Sequence, residues 1–429
     1  MYIQRMFKKV IVASVCMLAM FGNAQVSQAE VKTYEGVGEY IMSDFETPDI
    51  AKQRAKARAE QHAAEQAGVY VKSYTRTVNH TLVEDEIVAI ANTIIKIVDV
   101  QYTTNPTSEG GGSFQIVAKI HATVDSNQID EWLKRDQAKN RELVVQNRQL
   151  QADKVKLDAE LTKLRKKLSN VTTVQEKQIL EKKVVNADSK FLANQKVEEG
   201  WRLYSDGKSI EAVAIFSQAI GFDENSSVAY LGRGTAYSEQ GNYKQAIADF
   251  NKAITLNPNH VGVYNNRGIA YYLLGNYIQA IADYTKAIAI DPNYTEAYNN
   301  RGIAYGKQGK YMQAIADSNK AISLSPNYAD AYQTRGAVYS LQGKYMQAIS
   351  DFTKAIALNS NYAKAYYARG LAYSTQGNFT QAIADCNSAI AINPNAADAY
   401  YVRGCVYKML GNIKQANADY AKAEKLRRR

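Results

Sequence analysis

Between residues 227 and 429, apolar and polar positions recur with a fixed period of 34. In the stretch 261–294, VGVYNNRGIAYYLLGNYIQAIADYTKAIAIDPNY, the residues Tyr264, Gly268 and Tyr271 fall at i, i+4 and i+7, and Ala280, Tyr284 and Ala287 repeat that spacing. Each trio shares one face of an amphipathic helix. Gly275-Asn276 interrupts the pattern and Asp291-Pro292-Asn293 ends it, so the predicted element is a helical hairpin. Arg-Gly returns at Arg233-Gly234, Arg267-Gly268, Arg301-Gly302, Arg335-Gly336, Arg369-Gly370 and Arg403-Gly404. A degenerate earlier copy starts near Ala193 and keeps Gly200, Gly207, Ala212, Phe216 and Ala219, giving seven repeats over 193–429. One hairpin cannot cover its own apolar face, so the repeats must stack on their neighbours.

Numbering each repeat from its first residue (Val261 in the third), positions 7 and 23 are Arg and Asp in repeats two to seven. The first repeat has Glu199 and Ile215 there, losing both together. That joint loss predicts an Arg–Asp pair between the two helices of one repeat; a pair between repeats would leave Arg233 facing Ile215. Position 24 is a ring except at Ser318 and Cys386, where looser packing is expected. The seventh repeat places Asn417 and Glu424 where the others have aliphatic residues, as a last helix facing water should.

The first half has other periods. KTYEGVGEYIM alternates like a strand, 49–67 is an Ala-rich helix followed by Gly68, and VYVKSYTRTV, IIKIVDVQYTT and FQIVAKIHATV read as strands, with a turn at 108–112 and a closing helix at 126–135. Leu143, Leu150, Leu157, Leu164 and Val171 then stand seven apart, with Leu161 and Leu168 on the alternate seam and Asn147 and Lys154 as polar seam residues. This is a coiled-coil pattern, able to join two chains through residues 140–174 or to fold back on its own chain.

Charge sharpens the compartment more than the chemistry. The net charge is +10, but residues 30–136 carry −6, and part of the excess of the last segment lies in Lys425, Arg427, Arg428 and Arg429. A solvated coil and tail explain this better than a nucleic-acid site, and no nucleic-acid partner is expected. Binding of polyanions or envelope glycans through the basic coil and tail is the alternative. At the N-terminus, Arg5, Lys8 and Lys9 precede the apolar stretch 10–21 and the small-residue site Ser27-Gln28-Ala29. That order is a secretory signal peptide, cleaved after Ala29 or alternatively Ala24, which predicts a periplasmic or extracytoplasmic protein that spans no membrane once processed. Cys386 and Cys405 remain in the mature chain at positions where core residues stand elsewhere, so free thiols are expected ahead of a disulfide.

A 34-residue hairpin with Tyr at position 4, Gly at 8, Ala at 20, Phe or Tyr at 24, Ala at 27 and Pro at 32 resembles the tetratricopeptide repeat family. The resemblance implies an all-α solenoid coiled into a right-handed superhelix, with positions 5, 9 and 12 lining a concave groove that holds a protein or peptide segment. The groove candidates are Leu231, Asn265, Asn299, Gln333, Tyr367 and Tyr401 at position 5, with Asn266 and Asn300 at position 6 and Ile269 and Ile303 at position 9. Paired amides can bond a peptide backbone without reading its side chains, similar to the asparagine ladder of some members. The carboxylate clamp of the chaperone-binding members is absent. Residues 30–136 resemble the N-terminal domain of flagellar assembly protein T, through Glu35-Gly36-Val37-Gly38 and the Ala-rich helix, which implies an envelope role.

The expected organisation is therefore multidomain: signal peptide 1–29, a small α/β envelope domain 30–136, a coiled coil or helical linker 137–192, and seven repeats 193–429. His62, His80, His121 and His260 have no partners at metal-ligand spacing, and no phosphate loop or nucleophile elbow occurs. Neither a cofactor nor a catalytic residue is expected, and the predicted role is that of an exported scaffold for envelope assembly.

Overall fold

The computed structural model describes residues 30–42, 48–77, 84–107, 114–134, 137–168, 170–171 and 173–428. The expected signal peptide, the turn at 108–112, His80, and the side chains of Leu143, Asn147 and Lys154 lie outside the described residues. The chain divides into two compact bodies, Met1–Phe191 and Leu192–Arg429.

The first body is built on β1 (Val31–Met42), α1 (Pro48–Thr77), α2 (Glu84–Ile94), β2 (Lys96–Pro106), β3 (Phe114–Asp125), α3 (Ser126–Lys134), α4 (Gln137–Leu168) and the start of α5 (Val174–Ser205). Its sheet is antiparallel in the order β1-β3-β2. Ile116, Ala118, Ile120, Ala122 and Val124 alternate along β3 and are all buried, so one face of the sheet carries the core. Opposite them Gly36 and Gly38 pair with Ile120 and Ala118. A Cβ on Gly38 would lie 2.0 Å from the Ala55 carbonyl oxygen, and one on Gly36 would lie 2.0 Å from that of Ala59. Strand and helix backbones touch, and only glycine fits between them. Buried Arg54 adds a second tie, donating to the Tyr40 hydroxyl at 3.0 Å and pairing with buried Asp188 on α5.

Two expectations need correction here. VYVKSYTRTV is no strand up to Thr77: α1 continues through Gly68, because Tyr70 and Val71 extend the buried ladder Ala51, Ala55, Ala59, Ala63 and Ala67 at helical spacing. Val171, read as a heptad position, lies beyond α4, which ends at Leu168; Asn170 donates back to the Lys166 carbonyl at 3.0 Å. The boundary expected at 192/193 lies one residue from the division between the two bodies and falls within α5. The coil leucines are also informative. Leu150, Leu157, Leu161, Leu164 and Leu168 are buried in a single chain, which favours the fold-back arrangement over an open dimer seam.

The second body is the solenoid. After the end of α5, second helices (Ser209–Phe222, Tyr243–Leu256, Tyr277–Ile290, Tyr311–Leu324, Tyr345–Leu358, Phe379–Ile392 and Ile413–Arg427) alternate with first helices (Ser227–Glu239, Val261–Leu273, Thr295–Lys307, Ala329–Leu341, Ala363–Thr375 and Ala397–Met409). Position 15 turns each hairpin: Gly207 to Gly411 all hold φ of 73–79°, the left-handed region that favours glycine. Position 8 must be small for another reason, since a Cβ on Gly268 would meet the Tyr284 ring at 2.6 Å.

The expected Arg–Asp pair forms within every one of repeats two to seven, with both carboxylate oxygens of Asp249, Asp283, Asp317, Asp351, Asp385 or Asp419 accepting from one guanidinium. Sequence reasoning missed the third arm. Each Arg also donates from Nη1 to position 25 of the preceding repeat, for example Arg267 to Asn251 at 2.6 Å and Arg301 to Thr285 at 3.0 Å. The signal was present: position 25 is Ser217, Asn251, Thr285, Asn319, Thr353 and Asn387, always able to accept, in each repeat that precedes an Arg at position 7. One guanidinium thus clamps its own hairpin and staples it to the one before.

Where the ring is missing at position 24, Ser318 is fully buried and its hydroxyl has no partner. An unmade buried hydrogen bond costs about 1–3 kcal/mol, and removing the hydroxyl at nearly constant volume relieves that cost. Ser318→Ala is therefore expected to stabilise the solenoid by about 1 kcal/mol, read as a raised urea midpoint at unchanged m-value. Cys386 fills the same position in the sixth repeat; Cys386 and Cys405 are both free, and burial pushes the Cys386 thiol up to about 12. Asn417 and Glu424 are exposed on Ile413–Arg427.

Candidate functional site

The face predicted to hold a partner is assembled by the first helices of successive repeats. Position 5 turns inward more than its spacing suggested: Leu231, Asn265, Asn299 and Gln333 are at most 6% exposed. Asn266, Ile269, Asn300, Ile303 and Tyr367 are half-buried. Tyr401 is open to solvent, tilted on Tyr420 with ring centres 5.7 Å apart and overlain by Arg427. The accessible part of the face in repeats three and four is thus position 6 with position 9, while position 5 lies beneath.

The amides are joined to one another. Asn300 Nδ2 donates to Asn265 Oδ1 of the preceding repeat at 3.0 Å, and Asn265 Nδ2 donates to Asn266 Oδ1 at 3.3 Å. Asn266 Nδ2 in turn donates to Thr235 Oγ1 at 3.4 Å, and that hydroxyl donates to the Leu231 carbonyl at 2.9 Å. The row therefore crosses repeats two to four and orients the half-buried amides at Asn266 and Asn300. It breaks off beyond, where Asn299 Oδ1 and Thr334 Oγ1 are buried without partners. Thr235 was not anticipated; a hydroxyl at position 9 of the second repeat, one repeat ahead of Asn266, was the sign available in the sequence.

Among the described residues no group of three or more His, Cys, Asp or Glu is placed to hold a metal ion. His121 pairs with Asp99 at 2.6 Å across two strands, and that hydrogen bond holds the Asp99 carboxyl below its ordinary range. His260 is desolvated, which lowers its pKa, and its Nδ1 has no partner. In the basic tail, Arg427 pairs with Asp398 at 2.8 Å and Arg428 with Glu424 at 2.5 Å, so part of its charge is already neutralised. Among the described residues no helix is long and apolar enough to cross a membrane.

Repeat family models match the solenoid. Models described as TPR repeat match 234–275, 270–309 and 338–377, and models described as tetratricopeptide repeat match 295–328, 319–350, 363–396 and 397–429. A tetratricopeptide repeat protein from Parabacteroides merdae ATCC 43184 is 21% identical, over 55% of this chain and 93% of that one, with a TM-score of 0.48. MamA is 31% identical over 38% of this chain and 94% of its own, with a TM-score of 0.33. PilW, described as a widely conserved type IV pilus biogenesis factor, is 22% identical over 48% and 96%, with a TM-score of 0.45. Among curated protein sequences none matches the chain. Seven stacked hairpins, the glycine turns, the Arg–Asp clamps and the matched repeat models together place this chain in the tetratricopeptide repeat family.

Proposed function

We propose that this protein is an exported scaffold of the cell envelope that holds an extended segment of another polypeptide along the first-helix face of repeats three and four. The observation that carries the reading is the linked amide row, in which Asn300, Asn265, Asn266 and Thr235 fix one another across three repeats. Amides already held in place lose little freedom on binding, so a backbone laid beside Asn266 and Asn300 meets ordered donors and acceptors. Half-buried Ile269 and Ile303 flank them and supply apolar contact. Membership of a family whose repeats bind proteins points the same way, and the signal-like sequence at 1–29 supports export.

The test is capture of envelope proteins by the wild type and by an Asn266→Ala, Asn300→Ala double variant. Capture of the groove-bound partner is expected to fall at least tenfold in the variant while its melting curve stays within a few degrees of wild type. Undiminished capture would remove the amide face as the binding site.

A further inference from the structure

The corner where first helix turns into second helix carries a second surface unrelated to the groove. At position 18, just past the turn glycine, Ile278, Met312 and Met346 are 71%, 77% and 71% exposed in three consecutive repeats. Leu273 and Leu341, on the other side of the same turns, are 49% and 61% exposed. Polar residues are the ordinary choice at such tips, and a row of aliphatic side chains one repeat apart marks an interaction surface. Half-buried Tyr277, Tyr311 and Tyr345 sit between them at position 17.

In repeats three to seven the charge at this corner has one sign. The segments 272–279, 306–313, 340–347, 374–381 and 408–415 contain no Asp or Glu, while Lys307, Lys310, Lys344, Lys408 and Lys414 lie within them and are exposed. The opposite corner, where one repeat passes to the next, is acidic: Asp291, Glu296, Asp330 and Asp398 stand there against the single Lys364 in the segments 291–297, 325–331, 359–365 and 393–399. Repeats three to seven therefore have a basic, apolar edge and an opposite edge richer in carboxylates, whereas the first corner also carries Asp206, Glu211 and Glu239 in repeats one and two.

We propose that the basic, apolar edge of repeats three to five docks on an anionic lipid surface, with the side chains at position 18 entering the headgroup boundary and the lysines lying against lipid phosphates. Exposed side chains set one repeat apart are a poor fit to a protein pocket, which has to be shaped to each of them. A fluid bilayer accepts them without prior complementarity, and flexible Met suits that role. Lysine beside apolar residues, with tyrosine at the same level, is the composition of a membrane-interface element. On the opposite edge Glu296 is buried and Asp398 is paired with Arg427, which leaves Asp291 and Asp330 to disfavour the reverse orientation.

Vesicle flotation tests this with the chain beginning at Glu30, which retains every described element and excludes the apolar N-terminus. The probes are vesicles of equal parts phosphatidylcholine and phosphatidylglycerol, and vesicles of phosphatidylcholine alone. The protein is expected to float with the anionic vesicles and at least tenfold less with the neutral ones. Ile278→Ser, Met312→Ser, Met346→Ser together, and separately Lys310→Glu with Lys344→Glu, are each expected to lower partitioning at least tenfold. All these side chains are exposed, so unchanged melting curves are expected and separate lost docking from lost fold. Equal flotation of wild type and the triple variant, equal flotation on both vesicles, or no flotation at all would overturn the proposal. Wild-type self-association abolished by the triple variant, with no vesicle binding, would overturn it in favour of a second copy as the occupant.

Discussion

Asp317→Ala is expected to destabilise the solenoid by about 3 kcal/mol, far more than an exposed ion pair is worth. The Asp317 side chain is 9% exposed and that of Arg301 is 16% exposed. Arg301 donates Nε and Nη2 to the two Asp317 oxygens, each at 2.8 Å, and Nη1 to Thr285. Its guanidinium also lies 5.6 Å from the Tyr298 ring centre, and the hydrogen bonds to Asp317 help hold its pKa above the ordinary value. Removing the carboxylate leaves a largely buried cation with one neutral acceptor, and that uncompensated charge is the cost. Thr285→Val removes only the staple to the preceding repeat and is expected to cost about 1 kcal/mol. Urea unfolding followed by helical circular dichroism measures both. Because repeats contact only their neighbours, the Asp317 variant should also broaden or split the transition.

Gly38→Ala is expected to unfold the first body or weaken it by at least about 3 kcal/mol, at the top of the range for overpacking. The new methyl would lie 2.0 Å from the Ala55 carbonyl oxygen and 2.4 Å from the Ala59 nitrogen. Those are backbone atoms of α1, which cannot rotate aside as a side chain can, and Gly38 is held on the other side by pairing to Ala118 in β3. Hydrogen exchange should show protection lost over β1, β3 and α1 while the repeats from 227 onwards keep theirs.

The solenoid was legible because its sequence states the same local rules in repeat after repeat. A turn glycine, a small residue under a ring, and an Arg and Asp that disappear together are each visible without coordinates. The first body offers one copy of each element, and there local propensity misled. Val69 to Val78 are rich in β-branched and aromatic residues, yet the segment up to Thr77 is helical because the alanine ladder before it sets a helical face that Tyr70 and Val71 continue. Propensity lost to tertiary packing. Of the candidate site, its place on the first helices was legible and its depth was not. Whether Asn265 is open or covered depends on the register of the next repeat, which sets Asn300 against it at 3.0 Å, and no single repeat contains that information. The third arm of the arginine clamp was hidden similarly: position 25 looks like an ordinary polar surface position until the following repeat is laid beside it.

The most direct test of the groove assignment places a photocrosslinking residue at Ile303, on the accessible face of repeat four, and in parallel at exposed Lys320, on the second helix of the same repeat. Irradiation in the intact producing cell is expected to give one discrete adduct with another polypeptide from position 303 and none from position 320, the adduct disappearing when Asn300→Ala is combined with it. Equal labelling from both positions, or adducts from 320 alone, would contradict the account.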